Sequence, residues 1–154
     1  MLFQILLICH SLLRWLILAG LLYTSGKALL NLITGIQPTR FQIRLAKLTQ
    51  HWILLATVIG VLLYLNSPLV HDYLHHKNGS QNTRESSFFG WMHPLAMLML
   101  PLITSGAMFI IKTSRTNDYT QYILMRYFGV AFMLAAVSIP WPVFDLVHRP
   151  LLRI

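Results

Sequence analysis

Four long apolar segments alternate with shorter polar stretches along the chain. A membrane-spanning helix needs about 20 predominantly apolar residues, and segments of this kind cover approximately residues 2–23, 47–65, 88–111 and 119–139. The second segment is followed by Asn66-Ser67-Pro68 and the fourth by the turn Pro140-Trp141-Pro142, where proline interrupts a helix. The pattern predicts an all-α integral membrane four-helix bundle in which residues 1–154 form a single transmembrane domain.

The connections between these segments differ in character. Residues 24–46 carry enough leucine and isoleucine that helix 1 is expected to continue or bend into an interfacial segment, which Pro38 breaks. Residues 66–87 form the most polar stretch and are predicted to be a loop, and residues 112–118 are predicted to be a short polar turn. The tail after Pro142 is too short to span a bilayer and is expected to lie at the membrane interface.

The composition supports a lipid-facing exterior. Hydrophobic residues make up 56% of the chain and charged residues 10%, whereas soluble domains carry roughly 25% charged residues. The net charge of +8 comes from 12 Lys and Arg against 4 acidic residues. Because these cations lie between and beside the apolar runs, they indicate membrane topology and contact with lipid head groups, and no nucleic-acid partner is expected.

The single cysteine limits the chemistry available to the chain. Cys9 cannot form a disulfide within the chain, and the sequence contains no CxxC or CxxCH motif. Any haem is therefore expected to be bound without covalent attachment. The first apolar run starts at Met1 without a basic leader or a clear small-residue cleavage site, so a cleaved signal peptide is not expected.

The distribution of basic residues predicts an orientation. Four spans place residues 24–46 and 112–118 on one side of the membrane, and both termini with residues 66–87 on the other. The first side carries the larger number of Lys and Arg residues, and cytoplasmic loops are enriched in these residues. We therefore expect a multi-pass protein of the plasma (inner) membrane with both termini outside. The cations of the first side are Lys27, Arg40, Arg44, Lys47, Lys112 and Arg115, with Arg126 just inside helix 4; those of the second are Lys77, Arg84, Arg149 and Arg153.

Three histidines and one arginine stand out inside the predicted spans, namely His10, Arg14, His51 and His93. An ionisable group within a span costs about 2.5–3.5 kcal/mol on insertion scales, so each one suggests a function. His10 and Arg14 are four residues apart and point to one face of helix 1. Ile17, Leu21 and Thr24 extend that stripe, while His93 shares a face with Ala96, Met97, Leu100 and Thr104. Helix 4 presents Ala131, Ala135 and Ser138 on one stripe suited to close packing.

The depths of these histidines suggest a pair of haem ligands. Neutral imidazole is a good axial ligand for haem iron, and bundle cores commonly hold cofactors. His10 lies about 12 Å from the outer end of helix 1 and His93 about 8 Å from the outer end of helix 3. His10 and His93 are therefore the predicted axial ligands of a haem b. Arg14 is expected to hold a haem propionate or a quinone carbonyl, and His51, about four residues from the start of helix 2 and near the opposite surface, is a second candidate for cofactor binding.

The same residues have simpler interpretations. An intramembrane histidine can serve as a hydrogen-bond donor between helices. Arg14 can pair with Asp145 or with backbone carbonyls, and His51 with Trp52 can anchor the cytoplasmic end of helix 2. His71, His75 and His76 in the polar stretch are a further, weaker candidate site for Zn or Cu. Asn78-Gly79-Ser80 fits the glycosylation sequon, which is a short motif.

Several short strings occur in the order found in one family. They are His10-Ser11-Leu12-Leu13-Arg14-Trp15, Thr49-Gln50-His51-Trp52, Gly60-Val61-Leu62-Leu63-Tyr64, Ser67-Pro68, Met92-His93-Pro94-Leu95 and Ile139-Pro140-Trp141-Pro142. With these strings, nearly the whole chain resembles the small bacterial four-helix membrane proteins labelled cytochrome b-like. The resemblance implies haem b and electron transfer in the membrane, with histidines at positions matching His10, His51 and His93. Met92 stands where the family commonly has an acid, so no proton relay is expected at that position.

Two functions remain open at the level of sequence. The first is a haem-b electron-transfer protein that passes electrons between quinol and a partner redox protein or complex. The second is a cofactor-free accessory or scaffold subunit of a larger membrane complex. A small transporter is disfavoured because the chain shows no inverted repeat or broken central helix, and hydrolytic chemistry is disfavoured because none of the four acids lies deep in a span.

Overall fold

The computed structural model describes residues 1–75, 83–113 and 117–141. Within these ranges the chain is helical, with five helices and no strand. They are α1 (Leu2–Thr34), α2 (Arg40–Leu65), α3 (Pro68–His75), α4 (Arg84–Thr113) and α5, which runs from Asn117–Ile123 through Leu124–Phe128 to Gly129–Ser138. Four of the five, all but α3, are long and apolar enough to cross a membrane. The predicted all-α membrane bundle is confirmed.

The helix boundaries differ from the predicted ones mainly at the first connection. α1 continues to Thr34 and α2 begins at Arg40, so only residues 35–39 connect them, rather than residues 24–46. Gly35 ends α1 with φ 67°, a left-handed conformation suited to glycine. The Thr39 hydroxyl then accepts a hydrogen bond from the Gln42 amide at 3.1 Å and caps α2. α1 therefore continues beyond its apolar run, as expected from the leucines and isoleucine after residue 24, whereas α2 starts before residue 47, the start predicted for it.

The predicted loop at residues 66–87 is also largely helical where it is described. Pro68–His75 forms α3, and α4 starts at Arg84 with the Thr83 hydroxyl as its cap. The Tyr73 ring packs directly on Gly90, where even one added methyl group would overlap it. α3 therefore lies across the end of the bundle as a cap. Several predictions lie outside the described residues: His76, Lys77, Arg115, Arg149 and Arg153, the sequon at 78–80, and the interfacial tail with Asp145.

Small side chains bring the helices together. Ala28, Ala46, Ala107 and Ala131 are completely buried, and Gly20 of α1 lies against the side chain of Thr49 on α2. Small residues permit this close approach between membrane helices. The stripe of Ala131, Ala135 and Ser138 predicted for helix 4 is buried as expected.

The bundle has two chemically distinct ends. We call the end at which α1 finishes and α2 begins the basic end, and the end with the N-terminus and α3 the cap end. Near the basic end, three buried amides join three helices: Asn31 donates to Gln42 at 3.0 Å, and Gln42 donates to Gln121 at 3.1 Å. These bonds place the three residues at one level, which fixes the register of α1, α2 and α5.

Candidate functional site

A cavity of about 800 Å³ opens inside the bundle at the cap end. Its size falls in the range of roughly 300–1,000 Å³ that is usual for ligand pockets. α1, α2, α4 and the end of α5 supply its walls, and Ser67–Val70 close it toward α3. The polar side chains that line it include His10, Arg14 and His93, and most of the other lining residues are apolar, among them Phe3, Leu7, Ile17, Val61, Leu95 and Met97. We call it the cap cavity.

His10 enters the cavity from α1, and its ring lies against α2. A methyl group added at Gly60 would lie 3.4 Å from His10 Cε1, an ordinary van der Waals distance, so the ring is next to Gly60. The ring also meets the backbone carbonyl of Ala56, one turn earlier on α2. The Nδ1 atom of His10 is buried and has no hydrogen-bond partner among the described residues. A buried nitrogen in this state is costly unless a ligand engages it.

His93 enters the same cavity from α4 and is held by α5. Its Nδ1 lies 2.8 Å from the backbone oxygen of Ser138, and because a carbonyl only accepts, Nδ1 carries the proton and donates. The Nε2 atom of His93 is then left with its lone pair. Metal-binding histidines are usually oriented by a hydrogen bond of this kind from the second ring nitrogen.

The local structure around His93 explains its direction. The helix α4 contains a π turn at Phe88–Met92, directly before His93. A π turn inserts an extra residue into the helical ladder and rotates everything beyond it. α5 ends at Ser138, since Ile139 is extended and Pro140 follows, which leaves the Ser138 carbonyl available to His93.

Arg14 lies one turn below His10 on α1 and also lines the cavity. Its Nη2 donates to the Ser11 hydroxyl at 3.4 Å. The guanidinium interacts electrostatically with both His10 and His93, so the three groups form one cluster at the cavity wall. The predicted stripe of Ile17, Leu21 and Thr24 below Arg14 is buried.

His51 is not part of this cluster. It lies eleven residues, or about 17 Å, from the start of α2, because α2 begins at Arg40 and not near residue 47. The predicted start of helix 2 at residue 47 was therefore seven residues too late. Its side chain is exposed on the outer surface of the bundle, and its Nδ1 lies 2.6 Å from the Lys47 carbonyl oxygen. The structure thus brings together His10, Arg14 and His93 and leaves His51 outside the cavity.

Sequence reasoning missed the residues that shape the cap end. The Tyr64 hydroxyl donates to the Gly90 carbonyl at 2.9 Å and joins α2 to α4. Gly60 and Gly90 were detectable as glycines inside or beside apolar helices, where a glycine indicates close approach. The rings of His71 and His75 lie 4.1 Å apart on α3, as expected for a helical segment. The described residues nevertheless contain no group of three or more His, Cys, Asp or Glu side chains arranged to hold a metal ion.

Comparison with protein-family models, curated proteins and solved structures finds no match for this chain.

Proposed function

We propose that the protein is a membrane electron-transfer protein that holds one haem b in the cap cavity, with His10 and His93 as axial ligands. The observation that carries the proposal is the pairing of two oriented imidazoles in one apolar cavity. His93 Nδ1 is engaged by the Ser138 carbonyl, while His10 Nδ1 is buried without a partner in the described part of the chain. Each ring therefore has one nitrogen that would coordinate an iron.

The remaining residues fit the same group. The His10 ring lies next to Gly60, and the apolar walls would exclude water from a macrocycle. Arg14 would bind a carboxylate such as a haem propionate, or the carbonyl of a quinone, by a charge-assisted hydrogen bond. Haem b supplies one-electron transfer when it is bound. The chain itself holds the His93 imidazole in one tautomer through the Ser138 carbonyl, and it places a cation beside the two histidines.

The setting of this chemistry is part of the proposal. The apolar helices support a multi-pass membrane protein, and we assign it to the plasma membrane with both termini outside, because the cations concentrate at the basic end. The cap cavity then opens toward the outer side, where it would exchange electrons with quinol and a partner redox protein or complex. An alkaline phosphatase fused to the C-terminus is expected to be active. If the fusion is inactive although the chain is expressed and inserted in the membrane, the assigned orientation is wrong.

Substitution of the histidines tests the ligand pair. We expect His93→Ala and His10→Ala each to abolish the low-spin haem spectrum of the purified protein, because six-coordinate iron needs both ligands. His51→Ala is the matched control, since His51 lies on the surface of the bundle, and it should keep the wild-type spectrum. A His93→Ala variant with an unchanged low-spin spectrum would contradict the assignment of His93.

One observation favours a second function. Asn31, Gln42 and Gln121 are buried and joined by hydrogen bonds between helices without a ligand, so this chain does use polar side chains for helix packing. By extension, the cluster at the cap end could serve the same purpose in a cofactor-free accessory subunit of a larger complex. Co-purification with such a complex, with no haem in the bundle, would support this alternative.

A further inference from the structure

A positively charged side chain lies on the lipid-facing surface of α5. Arg126 is exposed, and its guanidinium carbon lies 4.6 Å from the centre of the Tyr122 ring, one turn earlier on the same helix. The acidic side chains that the structure describes, Asp72 and Glu85, belong to the cap end. An exposed arginine within an apolar span is costly and calls for an anionic neighbour.

The hydrogen bonds between helices fix the level of Arg126 in the membrane. Gln42 and Gln121 are at one level, and Lys47 and Arg126 each lie five residues farther along helices that run in the same direction. Both are therefore about 7.5 Å closer to the cap end. Lys27 lies four residues before Asn31 on the antiparallel α1, or about 6 Å in the same direction. Three helices thus present a cation at nearly one level, as expected for residues at a membrane interface.

A shallow, open apolar groove extends from Arg126 toward the cap end. It has a volume of about 580 Å³ and is lined by Met125, Gly129, Val130, Met133, Leu134 and Val137 in addition to Arg126. Val130, Met133 and Val137 are 57%, 62% and 77% exposed. Arg126 and Val137 are eleven residues apart, or about 17 Å along the helix. This length is about half of the roughly 30 Å hydrocarbon core, the thickness of one leaflet.

We propose that this groove is a binding site for an anionic phospholipid of the leaflet at the basic end. The lipid phosphate binds the Arg126 guanidinium, and one acyl chain lies along the groove toward Val137. Arginine matches phosphate geometrically through its planar donors. The positive charge of Arg126 favours a lipid of net negative charge, such as phosphatidylglycerol, over zwitterionic phosphatidylcholine. The site is independent of the haem proposal, because it faces the opposite surface of α5 from the bundle core.

Native mass spectrometry of the detergent-purified chain with equal amounts of phosphatidylglycerol and phosphatidylcholine tests this site. We expect the wild-type protein to retain one phosphatidylglycerol in preference to phosphatidylcholine. Arg126→Gln should weaken this retention about tenfold, because a charge-assisted hydrogen bond is lost. Lys112→Gln is the matched control: it removes an exposed cation on α4 near the same end, away from the groove, and should leave the retention unchanged.

Two further variants separate the charge from the groove. Arg126→Lys keeps the charge and should retain more phosphatidylglycerol than Arg126→Gln. Met133→Trp fills the groove with Arg126 intact and should also weaken retention. Equal retention by wild type and Arg126→Gln, or equal losses in Arg126→Gln and Lys112→Gln, would overturn the proposal. Unchanged retention in Met133→Trp would overturn it as well. Circular dichroism of each variant confirms that it is folded.

Discussion

The position of the His93 imidazole depends on where α5 ends. Because α5 stops at Ser138, a carbonyl that a longer helix would use internally is available to hold His93 Nδ1. The His10 ring lies instead next to Gly60 of α2. Orientation of a ligand by its neighbours is what makes a metal site selective. At the scale of single residues, the candidate site therefore depends on one main-chain carbonyl and on the packing of His10 beside Gly60.

The role of Gly60 can be tested directly. We expect Gly60→Leu to lower the haem content of the purified protein at least about tenfold, because the new side chain must displace the His10 ring or occupy the cap cavity. Gly106→Leu is the control, since a methyl group added at Gly106 meets no atom within 4 Å. If Gly60→Leu binds as much haem as the wild type while remaining folded, the proposed place of the macrocycle beside His10 is wrong.

The sequence predicted part of this site for physical reasons. The spacing of His10 and Arg14 places both on one helix face whatever the neighbouring helices do, and both line the cap cavity. The direction of the His93 side chain depends on the π turn at Phe88–Met92. This turn changes the helical register of the residues that follow, and the pattern of apolar residues does not reveal it. His51 was harder to place, because an apolar helix that faces lipid on one side and protein on the other has little amphipathic contrast.

At the scale of helices, the structure depends on close contact between α1 and α2. Gly20 lies directly against the Thr49 side chain, and Thr49 is itself held by a hydrogen bond from its hydroxyl to the Leu45 carbonyl at 2.9 Å. Neither residue has room to move away. The contact positions α2, and with it Ala56 and Gly60, against His10.

This contact leads to a prediction about stability. Gly20→Ala should lower the free energy of unfolding by about 1–3 kcal/mol, because the added methyl group overlaps Thr49. Gly26→Ala on the same helix meets no atom within 4 Å and should be neutral or stabilising by up to about 1 kcal/mol, as expected for glycine to alanine in a helix. Thermal unfolding of both variants in detergent measures the difference. Equal midpoints for the two variants would contradict the close packing of α1 on α2.

The lengths of the helices were predicted less well than their number. A run of apolar residues shows which part of a helix lies in lipid. It does not show at which residue the helix ends beyond that run. α1 has 33 residues, or about 50 Å of helix, so it extends beyond the hydrocarbon core. Its last turns and the first turns of α2 carry Asn31 and Gln42, which pair with each other. Such pairing between polar side chains of different helices is specified by tertiary structure, and the one-dimensional pattern therefore predicted a connection there.

At the scale of the whole molecule, polar chemistry is divided between the two ends. The basic end has buried amides that are hydrogen-bonded to one another and, at nearly one level, the cations Lys27, Lys47 and Arg126. The cap end has the cavity with two histidines and Arg14. Seventeen residues separate Lys27 from His10, or about 25 Å of helix, which places the cavity in the half of the bilayer farther from these cations. A haem there would lie near the membrane surface to which α3 belongs, within reach of a partner on that side.

The haem content of the wild-type chain tests the central claim most directly. The protein is to be expressed in cells able to make haem, purified in detergent as a monodisperse folded species, and assayed as the pyridine haemochrome. The account predicts about one haem b per chain, bound without covalent attachment, with the low-spin spectrum of two imidazole ligands. Folded protein without haem, which also fails to bind added haemin, would contradict it.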